Sequence, residues 1–376
     1  MRRITTLLIL LPFIGFSQKK TKDQPANCIQ IDSNTFFGQT EITNRMYREF
    51  VDDVRDSIAT HLLYSGLPFE RAKQFLNAPK KVLKQLTEDK RGEYLQQYGL
   101  DWSGLPGLFE LDSLESAIIS PLLYPQPERF YRKKEFDGRQ IIYLLPSGKR
   151  VPIYPDTTSW LIDYHKIYPV DSGYYSSWAV YYSNMNFWHP ADDNYPVVGL
   201  NLEQMKAYCE WFMRQLNDKS GNSSLHYSVS IPIIEDYEKA LKHCSPEFMA
   251  SEISSQNLIN PIVYKRGSDD AAAHIHVVYK SSAEARWLEP LSIYKLKQWA
   301  RANTTFPILN LLSGPAEASI STKSKDEITI LGGDYYLGII DPNGIQANTL
   351  FYERQLPKDK GYSYVGFRII VKTKHN

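Results

Sequence analysis

The run "YPVVGLNLEQMKAYCEWFMRQL", Tyr195 to Leu216, constrains the fold more than any other part of the chain. A short apolar strand-like piece ends at Gly199. Asn201 then stands where a helix needs a cap, because its side-chain oxygen can accept from a free N–H of the first turn. Behind it Met205, Tyr208, Cys209, Phe212 and Leu216 recur at helical spacing and predict one apolar face. A helix with such a stripe must bury it against other elements, so the chain is globular and built around this segment.

The rest of the chain supplies those elements. Cys28 to Phe37 reads as strand-like. Thr43 or Asn44 can cap a helix whose Met46, Tyr47, Phe50, Val51, Val54 and Ile58 form one face. Asp52, Asp53, Arg55 and Asp56 fall mostly on its wet side and are assigned no function. Residues 66–130 are expected to be a helical insertion, with "FERAKQFLNAPKKVLKQLTEDKRGEYLQQYGLDW" in helical period and Pro79 dividing it. Residues 131–187 are aromatic and turn-rich, and are expected to wrap over a core, with "PSGK" as a hairpin turn. "SVSIPIIEDYEKALKHC" predicts a strand, a proline corner and a short helix. Strands are expected near "PIVYK" and "HIHVVYK" and a helix near "IYKLKQWAR", within a variable loop region. The last pieces, "ITILGGDYYLG", "QANTLFYERQ" and "YSYVGFRIIVK", read as strands or turns. The fold class is therefore α+β, with much irregular structure.

The first residues indicate export. Arg2 and Arg3 precede the apolar run Ile4 to Phe16, and Gly15 and Ser17 are small residues two apart, so residues 1–17 read as a signal peptide cut after Ser17. The run is shorter than the roughly 20 residues that span a bilayer, and no later segment is long and apolar enough to do so. The cleavage site has no Cys to carry a lipid, and Cys28 lies too far downstream. Residues 18–30 are polar and are expected to be flexible. With Arg2 and Arg3 taken from the 43 basic residues, 41 remain against 42 acidic ones, which argues against nucleic-acid binding. An oxidising compartment allows one disulfide among Cys28, Cys209 and Cys244, leaving an odd thiol. Cys209 is expected to be a buried, inert thiol on its helix.

Taken together, six fragments in order resemble the formylglycine-generating-enzyme-like (sulfatase-modifying-factor) fold, which is related to C-type lectins. They are Glu41, Thr43, Asn44, Tyr47 and Phe50; Pro196 to Leu200 with Ala207, Tyr208, Cys209 and Trp211; Ile231, Pro232, Glu235, Tyr237, Glu238 and Ala240; the reduced loop "LLSGPAEAS"; Leu331 to Tyr335; and Gly366, Phe367 and Arg368. The resemblance covers residues 36–56 and 187–371 and implies one domain over 31–376, with an insertion at about 57–187. Within the insertion, "ERFYRKKEFDGRQIIY", "VPIYPDTTSW" and "FWHPADDNYPVVG" resemble the gliding-motility lipoprotein K branch of that fold. Members of that branch build periplasmic rings of the type IX secretion machinery. The resemblance implies a soluble relative in the periplasm, held at the outer membrane through protein partners such as a ring component.

Inherited chemistry is poorly represented. Cysteine oxidation in this fold needs two thiols near the C-terminal strands, where soft thiolates hold copper, and no Cys lies between Leu331 and Asn376. Of the eight His, none has the helical spacing of the iron-dependent relatives; His274 and His276 share one side of a predicted edge strand, and His189 belongs to a loop. Calcium needs six to eight oxygens, and the family's ligand loop has Pro315 in place of Asn and retains only Glu317. Asp192, Asp193 and Asn194 read as a solvated turn, as do Asp269 and Asp270. There is no G-x-S-x-G, P-loop or HExxH. No catalytic residue and no cofactor are expected. The expectation is a non-enzymatic scaffold that binds envelope proteins through its insertion, with Trp102, Trp160, Trp178 and Trp188 as candidate anchors, since Trp dominates binding energy at interfaces. The alternatives are a carbohydrate-binding module or a metal-dependent enzyme of the same fold.

Overall fold

A computed structural model of the chain describes residues 24–90, 93, 98–102, 113–129, 133–157, 159, 187–220, 225–241, 261–264, 276–279, 316–320, 326–331 and 354–375. The strands are Cys28–Asp32 (β1), Thr35–Gly38 (β2), Ile142–Leu144 (β3), Arg150–Pro152 (β4), Leu225–Ser230 (β5), Pro261–Tyr264 (β6), His276–Tyr279 (β7), Ala316–Ser319 (β8), Glu327–Leu331 (β9), Arg354–Pro357 (β10), Val365–Gly366 (β11) and Ile370–His375 (β12). The helices are Asn44–Gly66 (α1), Phe69–Ala72 (α2), Lys80–Leu83 (α3), Leu114–Ile118 (α4), Leu202–Ser220 (α5) and Ile234–Leu241 (α6), with several 3₁₀ turns between them. The architecture is α+β. One antiparallel sheet has the order β1-β2-β12-β5, so the last strand of the chain lies inside it. A second has the order β10-β9-β8-β11, and β3-β4 and β6-β7 are two-stranded hairpins.

Local chemistry explains the two long helices. Thr43 Oγ1 accepts from the Met46 N–H at 3.2 Å and starts α1. Two further N–H groups of its first turn have no partner within the helix. The carbonyls of Tyr195 and Asp193 accept from Asn44 N and Arg45 N at 2.8 and 3.1 Å. Helix α5 opens on a reciprocal box: Asn201 Oδ1 accepts from Gln204 N at 2.9 Å, and Gln204 Oε1 accepts from Asn201 N at 2.8 Å. Both predicted apolar faces are buried or half-buried as expected.

The faces meet around Tyr208. Its ring stacks on Tyr47 (5.7 Å, 18°) and Phe212 (6.1 Å, 7°) and takes the edges of Phe50 and Phe367 at 5.8 and 5.6 Å. The buried phenols have backbone acceptors: Tyr47 Oη donates to Ile153 O at 2.9 Å, and Tyr237 Oη to Ala318 O at 3.1 Å. Arg368 is fully buried and donates to the carbonyls of Gly38 and Gln39.

The segments that follow α1 pack with its second half into a separate core. Beyond residue 57, α1 continues unbroken to Gly66, and its Ala59, Leu63 and Tyr64 pack with Phe69, Phe75, Leu76, Leu100, Ile119 and Leu122. Over residues 69–90 the expected long helical period is not realised. The structure has single turns instead, and Pro68 and Pro79 stand at the starts of α2 and α3. Proline lacks an N–H and clashes with the preceding turn, so a helix can begin at each of these prolines but cannot run through it.

The hairpin over "PSGK" is β3–β4. Gly148 sits at φ +81° and Leu145 N donates to Lys149 O at 3.0 Å. The strand, proline corner and helix predicted after α5 are β5, Pro232 and α6. Strands β6 and β7 fall at "PIVYK" and "HIHVVYK", while "IYKLKQWAR" lies outside the described residues. Asp156, Gly199 and Tyr362 bring three segments together at one junction. Asp156 N donates to Gly199 O at 2.8 Å, and Gly199 N donates to Tyr362 O at 2.9 Å. Gly199 has φ +75°, and a Cβ there would lie 2.4 Å from Asp156 O.

Candidate partner-binding cleft

Where the segments after α1 fold back on it they leave a cleft of about 1120 Å³. Three elements frame it. Helix α1 contributes Arg48, Asp52 and Arg55. The 3₁₀ turn Gly138–Gln140, preceded by Phe136, forms a second wall, and the exit of β4 from Pro152 to Thr157 forms a third. Phe187 and Trp188 border it from the segment before α5.

Close packing sets the aromatic wall. The Tyr154 ring lies directly on Gly138, where an added Cβ would come within 2.5 Å of the ring carbon Cγ. Phe187 meets the same ring edge-on at 5.3 Å. The Arg55 guanidinium sits 5.0 Å from the centre of Phe136 and 5.5 Å from that of Trp102, and those two rings meet edge-to-face at 5.4 Å. Arg55 also holds Asp52 and Asp56 at 2.6 and 2.7 Å.

The cations around the cleft are all engaged. Arg48 pairs with Asp193, Arg139 with Asp137 and Glu128, and Lys134 donates to Ser116 Oγ at 3.0 Å. Burial lowers the Arg48 pKa, against the pull of Asp52 and Asp192. Burial raises the Asp56 carboxyl above the usual carboxylate range, although Arg55 and a hydrogen bond from Trp102 oppose it. Burial also raises the Tyr154 phenol, so this ring is neutral at physiological pH. The cleft therefore offers ring faces and proline surface among arginines that are paired with carboxylates. Those are the features of a recognition surface.

The candidate anchors fall in different places. Trp188 stands on the rim, 45% exposed. Trp102 lies behind the wall, half-buried, supporting Phe136 and Arg55. Trp160 and Trp178 lie outside the described residues, as do Cys244, His274, Asp269 and Asp270. Sequence reasoning puts Arg55 and Asp56 on a solvated face, and the structure half-buries both. It also passes over Phe136, Gly138 and Tyr154. The signal for these is Gly138 within the aromatic-rich run, a glycine that leaves room for a ring.

Asp192 to Asn194, read as a solvated turn, is docked: Asp193 holds Arg48, and the Asp192 carbonyl accepts from Asn44 Nδ2 at 3.0 Å. Glu317, expected in a ligand loop, lies within β8, opposite Leu331 on one side and Gly366 on the other. Cys28 and Cys209 are free and buried, and burial pushes the Cys28 thiol up to about 12 and raises Cys209 as well. Both are protonated thiols of low reactivity. Among the described residues, no group of three or more His, Cys, Asp or Glu is placed to hold a metal ion, and no helix is long and apolar enough to cross a membrane.

No protein family, curated protein or solved structure matches the chain in comparison with known proteins.

Proposed function

We propose that this protein is a degenerate member of the formylglycine-generating-enzyme-like fold that works as a non-enzymatic, exported scaffold. Its setting is the type IX secretion and gliding apparatus of the periplasm, where it binds a partner such as a ring component and through it associates with the outer membrane. One observation carries the reading. Residues of the separate sequence fragments converge on one core: Tyr47, Phe50, Tyr208 and Phe367 share an aromatic cluster, and Arg368 reaches the carbonyls just before Glu41. The insertion builds a second core on α1 and bounds a cleft with an exposed tryptophan. Elaborations on a fixed scaffold are where binding surfaces commonly lie.

Affinity capture of the tagged protein from gently solubilised envelopes, at native expression levels, tests the scaffold. Secretion-ring or gliding proteins recovered in fixed ratio support it. Recovery of the protein alone, also after mild crosslinking, overturns it. A second reading, a carbohydrate-binding module, draws on the exposed ring of Trp188 and predicts retention on envelope glycans.

A further inference from the structure

Among the described residues, β5 ends one side of the β1-β2-β12-β5 sheet. Its Ser230, Ser228 and His226 lie opposite Ile370, Lys372 and Lys374 of β12, and Tyr227 lies opposite Thr373. Thr373 N turns away from β5 and donates to Asn34 O at 2.9 Å. The even-numbered residues of β5 therefore bond to β12, and the N–H and C=O groups of Leu225, Tyr227 and Val229 point out of the sheet. Edge strands are usually blunted by a charge, a proline or a bulge. On the far side of the sheet, β1 has a register shift between Gln30 and Asp32. The run Leu225–Ser230, LHYSVS, has no Asp, Glu, Lys, Arg or proline, and its register with β12 is unbroken.

One side chain meets this edge instead. Asn217, in the last turn of α5, accepts from Tyr227 N through Oδ1 at 2.9 Å and donates from Nδ2 to Tyr227 O at 3.0 Å. The carboxamide takes both outward groups of a mid-strand residue, as a neighbouring strand would. A second β5 would use the same two groups. In an antiparallel pair about a two-fold axis, Tyr227 would exchange both bonds with Tyr227 of the second copy. Leu225 would then face Val229 and His226 would face Ser228, so no two charges oppose each other. We infer that Asn217 is an edge guard: its carboxamide holds the β5 edge shut, and the surface it covers fits β5 of a second copy of this chain. The contact is autoinhibitory, because self-pairing requires both Asn217 bonds to break first.

Sedimentation velocity on the full chain, over a wide range of concentration, tests the guard. Asn217→Ala is expected to self-associate about tenfold more tightly than wild type, since two bonds no longer compete with the second strand. Alanine favours helix more than asparagine does, so α5 is retained. Adding His226→Glu and Ser228→Glu should return the variant to the wild-type value. Both positions are exposed, and each glutamate lies beside Lys374 or Lys372 of its own sheet but opposite a glutamate of the second copy. Hydrogen exchange of the wild type needs no variant. Tyr227 N–H should exchange more slowly than Val229 N–H, which faces the same edge without a side-chain acceptor among the described residues. Equal exchange at the two amides, unchanged association of Asn217→Ala, or association that the paired glutamates leave intact overturns the guard.

Discussion

Gly199 and Gly148 form a matched pair that isolates a steric contribution. Both have positive φ, +75° and +81°. A Cβ at Gly148 would meet nothing within 4 Å, whereas one at Gly199 would lie 2.4 Å from the Asp156 carbonyl oxygen. Alanine at either site carries the left-handed cost of about 1–2 kcal/mol. At Gly199 the clash must also push Asp156 and residue 199 apart, which loosens the hydrogen bonds Asp156 N to Gly199 O and Gly199 N to Tyr362 O. Each is worth about 1 kcal/mol net. Gly148→Ala is therefore expected to cost about 1 kcal/mol and Gly199→Ala about 3–4 kcal/mol. Equilibrium urea unfolding of each variant, followed by tryptophan fluorescence and far-UV circular dichroism, gives the comparison at matched slopes. Equal losses within about 0.5 kcal/mol would refute the proposed role of the three-segment junction.

Three further outcomes are expected. Stability falls as pH rises above about 9, because Cys28, Cys209, Tyr47 and Tyr208 are buried with raised pKa values, Cys28 from 9.0 to about 12. Below about pH 9 these groups are protonated in both states; the unfolded chain releases thiol protons above about 9 and phenol protons above about 10 that the folded chain retains, each at about 1.4 kcal/mol per pH unit. A flat urea midpoint between about pH 8 and 11 would contradict this. Asn201→Ala removes the reciprocal cap of α5 and should cost about 1 kcal/mol in urea unfolding, with Asn201→Asp retaining most of the stability. Arg368→Met leaves the carbonyls of Gly38 and Gln39 without their buried charged donor and should cost about 3 kcal/mol; a loss under about 1 kcal/mol would show that those bonds contribute little.

Legibility in the sequence tracks the range of the interactions. Thr43, Asn201 and Gly148 act within three or four residues, and each sits at the cap or turn its sequence signals. The faces of α1 and α5 are legible because burial of one stripe imposes a period. The insertion misleads because its single turns carry the same spacing as a long helix, and only the prolines at 68 and 79 mark the interruptions. The cleft is nearly invisible. Arg55 looks like any charge on a helix surface until Phe136 and Trp102 close over it, and the Arg48–Asp193 pair spans 145 residues. Such contacts depend on where distant segments return to α1, which no local pattern encodes.

The position of β12 bears on how the molecule is made. Strands β2 and β5 are joined only through Ile370–His375, which pairs with one on each side. The β1–β2 hairpin can form early, since its partners are close in sequence, but the sheet closes only when residues more than three hundred positions later become available. Pairings of such separation are slow to form, because the loop between them must be ordered first. Completion of this sheet therefore waits until Ile370–His375 has been made. A chain cut short before Ile370 leaves exposed strand edges on both sides of the gap, the surfaces through which incomplete β proteins aggregate.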